Sequence, residues 1–216
     1  MELDFLKWIE HAGFLIEING KKAYIDPFMV NANLPKADVI FITHSHFDHL
    51  SENDISKLST AKTQFVVPVE AAGRMSGRKL LAVEPGKKYE IDGIHFSTVP
   101  AYNIGKEFHP KSTGGVGYII DANGVRIYHA GDTDLIDEMK SIDVDVALLP
   151  IGGHYTMGIE DAIRATKIIR AKVFIPIHYK AILGKEESAK AEDEFRRRVK
   201  NSVILEQIQE PRYSLH

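Results

Sequence analysis

Residues 44–49 read His-Ser-His-Phe-Asp-His and place three imidazoles and one carboxylate within six positions. Imidazoles at this density repel one another when protonated and fill a core poorly when neutral, so packing does not account for them. Nitrogen and oxygen donors in such a cluster are typical of a divalent metal site. His44 and His46 alternate and therefore project from one side of the chain. Asp48 and His49 follow after a short turn, where they can face a second ion.

Two later residues are candidates for completing this site. Asp132 lies in the segment Ala-Gly-Asp-Thr, and His178 lies in Pro-Ile-His-Tyr at the end of an apolar run. Pro176 predicts the end of that strand and the release of His178 into a loop. Taken alone, Asp132 is typical of a turn and His178 of a hydrogen-bonded core histidine. Beside residues 44–49, both are better explained as metal ligands.

A repeated hairpin pattern indicates how these residues are positioned. Two apolar runs flank Asn19-Gly20 within residues 13–27, and a similar unit turns at Asn123-Gly124 within residues 117–132, 104 residues later. Asn-Gly is a strong hairpin signal because both turn residues must adopt a positive φ. Each unit runs into a loop that carries an aspartate, Asp26 or Asp132. The repeat suggests a fold made of two similar halves.

Further patterns predict a mixed α/β fold. Residues 159–171 and 186–200 have helical patterns, and residues 202–208 predict a closing edge strand. Buried-strand patterns occupy residues 37–43, 63–68, 79–83, 94–102, 144–150 and 172–177. Because strand pairs and helices alternate with no linker between them, we expect two mixed sheets covered by helices in a single domain over residues 1–216.

Composition excludes several classes of protein. The chain of 216 residues has ten histidines, no cysteine and a formal net charge of −3. Without cysteine, thiolate nucleophiles and cysteine-based zinc sites are excluded. The slightly acidic balance predicts no nucleic-acid partner, and no apolar run is long enough to span a membrane. We find no export signal and expect a cytoplasmic protein; association of identical copies is compatible with the sequence.

The order of these motifs resembles the metallo-β-lactamase superfamily of hydrolases. The resemblance covers nearly the whole chain, from His11-Ala12-Gly13 through residues 44–49 and 130–133 to residues 176–179. It is strongest to the stand-alone metal-dependent hydrolases, a branch that includes ascorbate-6-phosphate lactonase and N-acylphosphatidylethanolamine phospholipase D. The resemblance implies a four-layer αββα sandwich with a dinuclear metal site along one edge of the two sheets.

The resemblance also implies a ligand set. His44 and His46 would bind the first metal, and Asp132 would bridge both. The second metal would be held by Asp48, His49 and His178.

One ligand position departs from the family pattern. The family has a third histidine for the first metal at the position of Asn103, which is a poor zinc ligand. The next histidine is His109, in a glycine-rich loop, and we predict that this loop returns His109 to the site. The alternatives are an incomplete first site and a His109 that contacts substrate.

Other residues are candidates for roles around the metals. We predict that Asp26 orients a ligand imidazole. Asp48 and His154 are predicted catalytic residues, Asp48 to orient the nucleophile or carry its proton and His154 to contact substrate or donate a proton. His11 is equally compatible with the site wall and with a structural hydrogen bond. We assign no role in the site to His95, His129 and His216.

The leading hypothesis is a hydrolase with two divalent ions, zinc first, with manganese, iron or nickel as alternatives. A hydroxide bridging the ions would attack an ester, lactone or phosphodiester of a small molecule. A non-catalytic metal or ligand sensor on the same fold and a nucleic-acid phosphodiesterase are the alternatives. Because Asp48, Asp132 and His178 are all present, the sequence favours the enzyme over the sensor.

Overall fold

The computed structural model describes residues 2–31, 33–211 and 213–214, and its strands form two mixed six-stranded sheets. In the first sheet the strands lie in chain order: β1 (Leu6–Glu10), β2 (Gly13–Ile18), β3 (Lys21–Ile25), β4 (Val39–Phe41), β5 (Gln64–Pro68) and β6 (Leu80–Val83). The second sheet runs in order from its last strand to its first. Its members are β7 (Lys88–Ile91), β8 (Ile94–Pro100), β9 (Val116–Ala122), β10 (Val125–His129), β11 (Asp143–Pro150) and β12 (Arg170–Ile177).

The two sheets have related connectivity. In each, an Asn-Gly hairpin, β2–β3 or β9–β10, is followed by strands that pair in parallel. All four turn residues have positive φ, between 50° and 81°. The hairpins meet across the sheets, since Asn123 Oδ1 accepts the backbone N–H of Asn19 at 2.8 Å. The turns of the two predicted hairpins therefore lie against each other at the surface, one in each sheet.

Four helices complete the layers: α1 (Glu52–Leu58), α2 (Val69–Ala72), α3 (Ile159–Ala165) and α4 (Lys180–Arg198). Ile55, Leu58 and Ala71 pack with apolar side chains of the first sheet in one buried cluster. Phe195 and Ile163 belong to the larger cluster, which also fills the space between the sheets. The chain thus forms the predicted four-layer αββα sandwich.

Several predicted boundaries are wrong. The helix predicted over residues 159–171 ends at Ala165, because β12 begins at Arg170 and needs the intervening residues as a connection. The helix predicted from residue 186 begins at Lys180 and contains a break at Gly184, where φ is 74°. Strand β7 was not predicted, since charged residues interrupt its apolar pattern.

The closing edge strand predicted over residues 202–208 is also wrong. Ser202 makes one isolated bridge to Phe174 of β12, and Gln207 makes another to Trp8 of β1. β12 and β1 are edge strands of different sheets. The segment crosses from one sheet to the other and therefore pairs with neither along its length.

None of the helices in the described part of the chain combines the length and apolar character required to cross a bilayer.

At one corresponding glycine in each hairpin, the backbone lies unusually close to carbonyl oxygens of neighbouring backbone. A Cβ on Gly117 would lie 2.7 Å from the carbonyl oxygen of His129 and 2.8 Å from that of Ala130. Gly13, its counterpart in β2, faces the carbonyl oxygen of Asp26 in the same way, at 3.0 Å. Both positions exclude a side chain because the obstructing atoms belong to the backbone.

We therefore expect Gly117→Ala to lower the free energy of unfolding by about 1–3 kcal/mol through overpacking. Gly73→Ala is the matched control, since its Cβ would meet nothing within 4 Å and its φ is −63°. Chemical denaturation of both variants measures the difference. Equal unfolding midpoints would contradict the close-packing argument.

Candidate metal centre

The cluster forms where strands of both sheets end. In the first sheet, β1, β3 and β4 run in one direction; in the second, β8, β10 and β12 share a direction. Each of these six strands is followed by part of the cluster. The residues concerned are His11, Asp26, residues 44–49, His109, Asp132 and His178. Backbone hydrogen bonds join the two edges: Val116 N–H donates to the Thr43 carbonyl at 3.0 Å, and His178 N–H to the His11 carbonyl at 3.1 Å.

Three imidazole nitrogens converge on one point. His109 Nε2 lies 2.8 Å from His46 Nδ1 and 3.1 Å from His44 Nε2, and the last two atoms are 3.1 Å apart. Each nitrogen of a neutral imidazole either donates or accepts a hydrogen bond. Among three nitrogens in mutual contact, at least one pair must therefore set donor against donor or acceptor against acceptor. A metal ion that accepts a lone pair from each of the three nitrogens removes that conflict.

A second group lies on the other side of Asp132. Its Oδ1 is 3.3 Å from His49 Nε2 and 3.3 Å from His178 Nε2, whereas its Oδ2 is 3.4 Å from His109 Nε2. Asp48 Oδ2 closes the second group at 3.7 Å from His49 Nε2 and 3.8 Å from His178 Nε2. The two oxygens of one buried carboxylate thus face two separate sets of imidazoles.

The second group fits a divalent cation. His49 Nε2, His178 Nε2 and Asp132 Oδ1 are buried, and none has a hydrogen-bond partner among the described residues. Buried polar atoms are normally satisfied, so three such atoms facing one point indicate a missing ligand. Imidazole nitrogens and carboxylate oxygens suit zinc and other divalent transition metals.

Asp26 orients the second group from behind, as predicted. Its Oδ2 accepts from His49 Nδ1 at 2.7 Å and from the Thr43 hydroxyl at 2.6 Å, and its Oδ1 accepts from the Thr43 N–H at 2.8 Å. With the Nδ1 proton of His49 held by Asp26, Nε2 is left to bind a metal.

His11 lies in the cluster wall rather than apart from it. Its Nε2 is 3.2 Å from Asp48 Oδ2, and its ring centroid is 3.7 Å from that of His178. The site-lining alternative for His11 therefore agrees with the structure. His11, Asp26, His109 and His178 all have positive φ, between 41° and 55°. The turns that bring these side chains inward thus use a backbone conformation that is unfavourable for most residues.

The charges of the cluster are strongly coupled. Burial alone lowers the pKa of His178, but Asp132 and Asp48 raise it to about 9. Burial lowers the pKa of His11 to about 4, with a further contribution from the charge on His178. Burial also lowers the pKa of His109 to about 4 despite the charge of Asp132. The metal-free chain therefore holds protons on the second group and keeps His109 neutral and able to bind a metal.

His109, and not Asn103, reaches the first group. Asn103 is buried behind it, where its Nδ2 donates to the Tyr155 carbonyl at 2.7 Å and the Phe108 carbonyl at 3.0 Å. Its backbone N–H donates to the His109 carbonyl at 2.8 Å. Asn103 thus fastens the loop that returns His109 to the site. That His109 is a ligand remains a prediction.

Some candidates lie outside the cluster. His154 is exposed, with its ring against Tyr155 at 4.4 Å between centroids, and no contact joins it to the described metal-ligand candidates. Its catalytic role stays a prediction. His129 is buried and hydrogen-bonds the Ala12 carbonyl, while His95 is exposed on β8. His216 falls outside the described residues.

Sequence reasoning missed Thr43 and Gly152. The Thr43 hydroxyl bonds Asp26 and lies 3.0 Å from His44 Nδ1, so it joins both groups of ligands. A Cβ at Gly152 would collide with the carbonyl oxygen of His178. The available signals were a threonine before the histidine motif and two consecutive glycines after β11. Neither signal indicates which distant residue the threonine or the glycine contacts.

A two-sheet sandwich with histidines and carboxylates at the common edge defines a class, the metal-dependent hydrolases. The chain belongs to the β-lactamase superfamily, since the model of the β-lactamase superfamily domain matches residues 5–178. A metal-dependent hydrolase of the UPF0173 family from Thermococcus kodakarensis is 36% identical over 190 residues, 81% of this chain and 84% of that protein.

Solved structures agree with this assignment. A protein from Parabacteroides distasonis aligns with a TM-score of 0.82 and 28% identity over 94% of this chain and 92% of the other. Igni18, a metallo hydrolase from Ignicoccus hospitalis, aligns with a TM-score of 0.77 and 29% identity over 93% and 94% of the two chains. The chain is accordingly a metal-dependent hydrolase of this superfamily.

The three-nitrogen contact gives a test of the first metal position. We expect His109→Ala to lose about one equivalent of bound metal per chain, because the first position then loses one of its three imidazoles and keeps only His44, His46 and one oxygen of Asp132. His95→Ala, on an exposed face of β8, is the matched control. Elemental analysis after metal loading and gel filtration measures both. Unchanged stoichiometry in His109→Ala would show that His109 is not a ligand.

A second test concerns Asp26. We expect Asp26→Asn to weaken metal binding at the second group about 10–100-fold, because His49 loses the carboxylate that fixes its Nδ1 proton. Asp38→Asn replaces a carboxylate on the same sheet that accepts from the Lys22 N–H, away from the cluster. Competition with a chelator measures the affinities. Equal affinities in the two variants would rule out orientation by Asp26.

Proposed function

We propose that the chain binds two divalent metal ions and uses them to hydrolyse an ester, lactone or phosphodiester of a small molecule. The observation that carries the proposal is the position of Asp132. One of its oxygens faces the His44–His46–His109 group, and the other faces His49 and His178. A single buried carboxylate between two sets of imidazoles is suited to bridge two ions.

The ligand candidates form two sets, one for each ion. His44, His46 and His109 would hold the first, and Asp48, His49 and His178 the second. When bound, such ions lower the pKa of a coordinated water towards 7 and stabilise the charge that develops on the oxygen of the electrophile. We favour zinc, and the same donors suit manganese, iron or nickel.

Asp48 is the residue to which we assign the attacking water, either to orient it or to carry its proton. Burial on its own would raise the pKa of Asp48, but the charge of His49, the hydrogen bond with His11 and the proximity of His178 hold it well below its ordinary value. The described contacts of Asp48 use Oδ2, so Oδ1 is the atom that can accept a hydrogen bond from water. Its ionised state at neutral pH suits it to orient the nucleophile.

Three further residues position the ligand candidates. Asp26 and Thr43 fix the rings of His49 and His44, and Asn103 anchors the loop of His109. Rigid support of this kind keeps ligand atoms in place while the electrophile changes geometry. The net charge of −3 supports a small-molecule substrate, because proteins that bind nucleic acid are commonly basic.

We expect Asp132→Ala to lower kcat at least about a thousandfold and to bind at most one ion, since the bridge between the two groups is lost. Asp137→Ala, at an exposed position in the 3-10 turn that precedes β11, is the control. Bis-p-nitrophenyl phosphate and a lactone panel with added Zn²⁺ or Mn²⁺ provide the assay. Tight binding of two ions by the wild type with no turnover would favour a sensor instead.

A further inference from the structure

The metal centre opens into a cavity of about 310 Å³. On one side it is bounded by ligand candidates His46, Asp48, His109 and Asp132. We call this the apolar cavity, because the rest of its wall is formed by Phe47, Phe108, Tyr155 and Ile182.

The aromatic side chains of this wall are exposed. Phe47 is 63% exposed and Phe108 is 37% exposed. Phe108 meets the ring of Tyr155 edge to face, with 4.9 Å between centroids. Apolar side chains exposed in a concave site beside reactive groups are typical of ligand contacts, because their contact with water is unfavourable until a ligand covers them.

A second cavity of about 240 Å³ adjoins the first across His46 and His109. It includes the carboxylates of Glu70 and Glu107, and we call it the acidic cavity. Among the described residues, no lysine or arginine lines either cavity. A substrate with an additional anionic group would meet two carboxylates and no cationic side chain.

Cations near the site in sequence have partners elsewhere. Arg74 donates to the carbonyl of Ser45, and Lys106 donates to Asp134 at 2.5 Å. Lys111 donates to Glu138 at 2.8 Å. Lys106 and Lys111 are therefore neutralised by carboxylates, whereas Arg74 is held at the backbone of Ser45, a residue of the acidic cavity wall, without its own side chain lining that cavity.

We propose that the preferred substrate is an uncharged carboxylic ester or lactone whose alkyl or aryl group packs in the apolar cavity. The inference rests on the proposed function and narrows its substrate class. In the reaction, the oxygen of water bonds to the carbonyl carbon and the bond from that carbon to the alkoxy oxygen breaks. One proton of the water passes to the departing alkoxide, so that a carboxylic acid and an alcohol result.

The first arm of the test compares substrates on metal-loaded wild-type protein. We expect kcat/KM to be about tenfold higher for p-nitrophenyl butyrate than for p-nitrophenyl acetate, because the added methylenes enter an apolar pocket. Bis-p-nitrophenyl phosphate should be hydrolysed more slowly than either ester. Faster hydrolysis of the phosphodiester would overturn the inference while leaving the proposed hydrolase intact.

The second arm changes the apolar wall. We expect Ile182→Ala and Phe108→Ala to reduce the butyrate-to-acetate ratio of kcat/KM about threefold or more, with two ions still bound. Ile208→Ala, which truncates an exposed side chain outside both cavities, should leave the ratio unchanged. A ratio unaffected in both wall variants would contradict packing in the apolar cavity.

The third arm changes charge. Glu107→Lys should raise kcat/KM for bis-p-nitrophenyl phosphate about tenfold relative to the esters, since it adds a cation beside the metal centre. Glu90→Lys, on the exposed strand β7, is the control for net charge. An equal change in the two variants would overturn the electrostatic part of the inference. Hydrolysis of no ester, lactone or phosphodiester by protein with two bound ions would instead overturn the proposed function.

Discussion

The structure depends on holding five imidazoles and two carboxylates in two adjoining, mostly buried groups at the common edge of the sheets. Three imidazole nitrogens that lie 2.8–3.1 Å from one another cannot all form proper hydrogen bonds among themselves. The cluster is therefore unfavourable without ions. The sheets provide the restraint, because strands with a common direction deliver their following residues to one edge. Backbone hydrogen bonds, such as that from Val116 to Thr43, then fix one edge against the other.

Much of this arrangement was predictable. Asn19-Gly20 and Asn123-Gly124 require hairpins, and both form as expected. The histidine motif identified a metal site because its density has no explanation in packing. These signals are local, since each lies within a few residues and depends on backbone sterics or the chemistry of one cluster. The fold class followed from placing such local units in order.

What sequence reasoning missed depends on distant partners. The crossing of residues 202–208 between sheets depends on contacts with β12 and β1, which lie far away along the chain. The role of Asn103 is similar, because its amide binds the carbonyl of Tyr155, 52 residues away. His109 could be proposed as the returning ligand, but only the course of the loop shows how it reaches the first group.

The distribution of the donors between the sheets has a consequence for folding. Residues 44–49 belong to the edge of the first sheet, whereas His109, Asp132 and His178 follow strands of the second. Neither half alone contains a complete site, so ions bind the docked sheets far better than any partly folded form. By thermodynamic linkage, metal binding stabilises that docked state in proportion to ln(1 + [M]/Kd). Ions bound there would therefore stabilise the two sheets against each other, to an extent that depends on the free metal concentration.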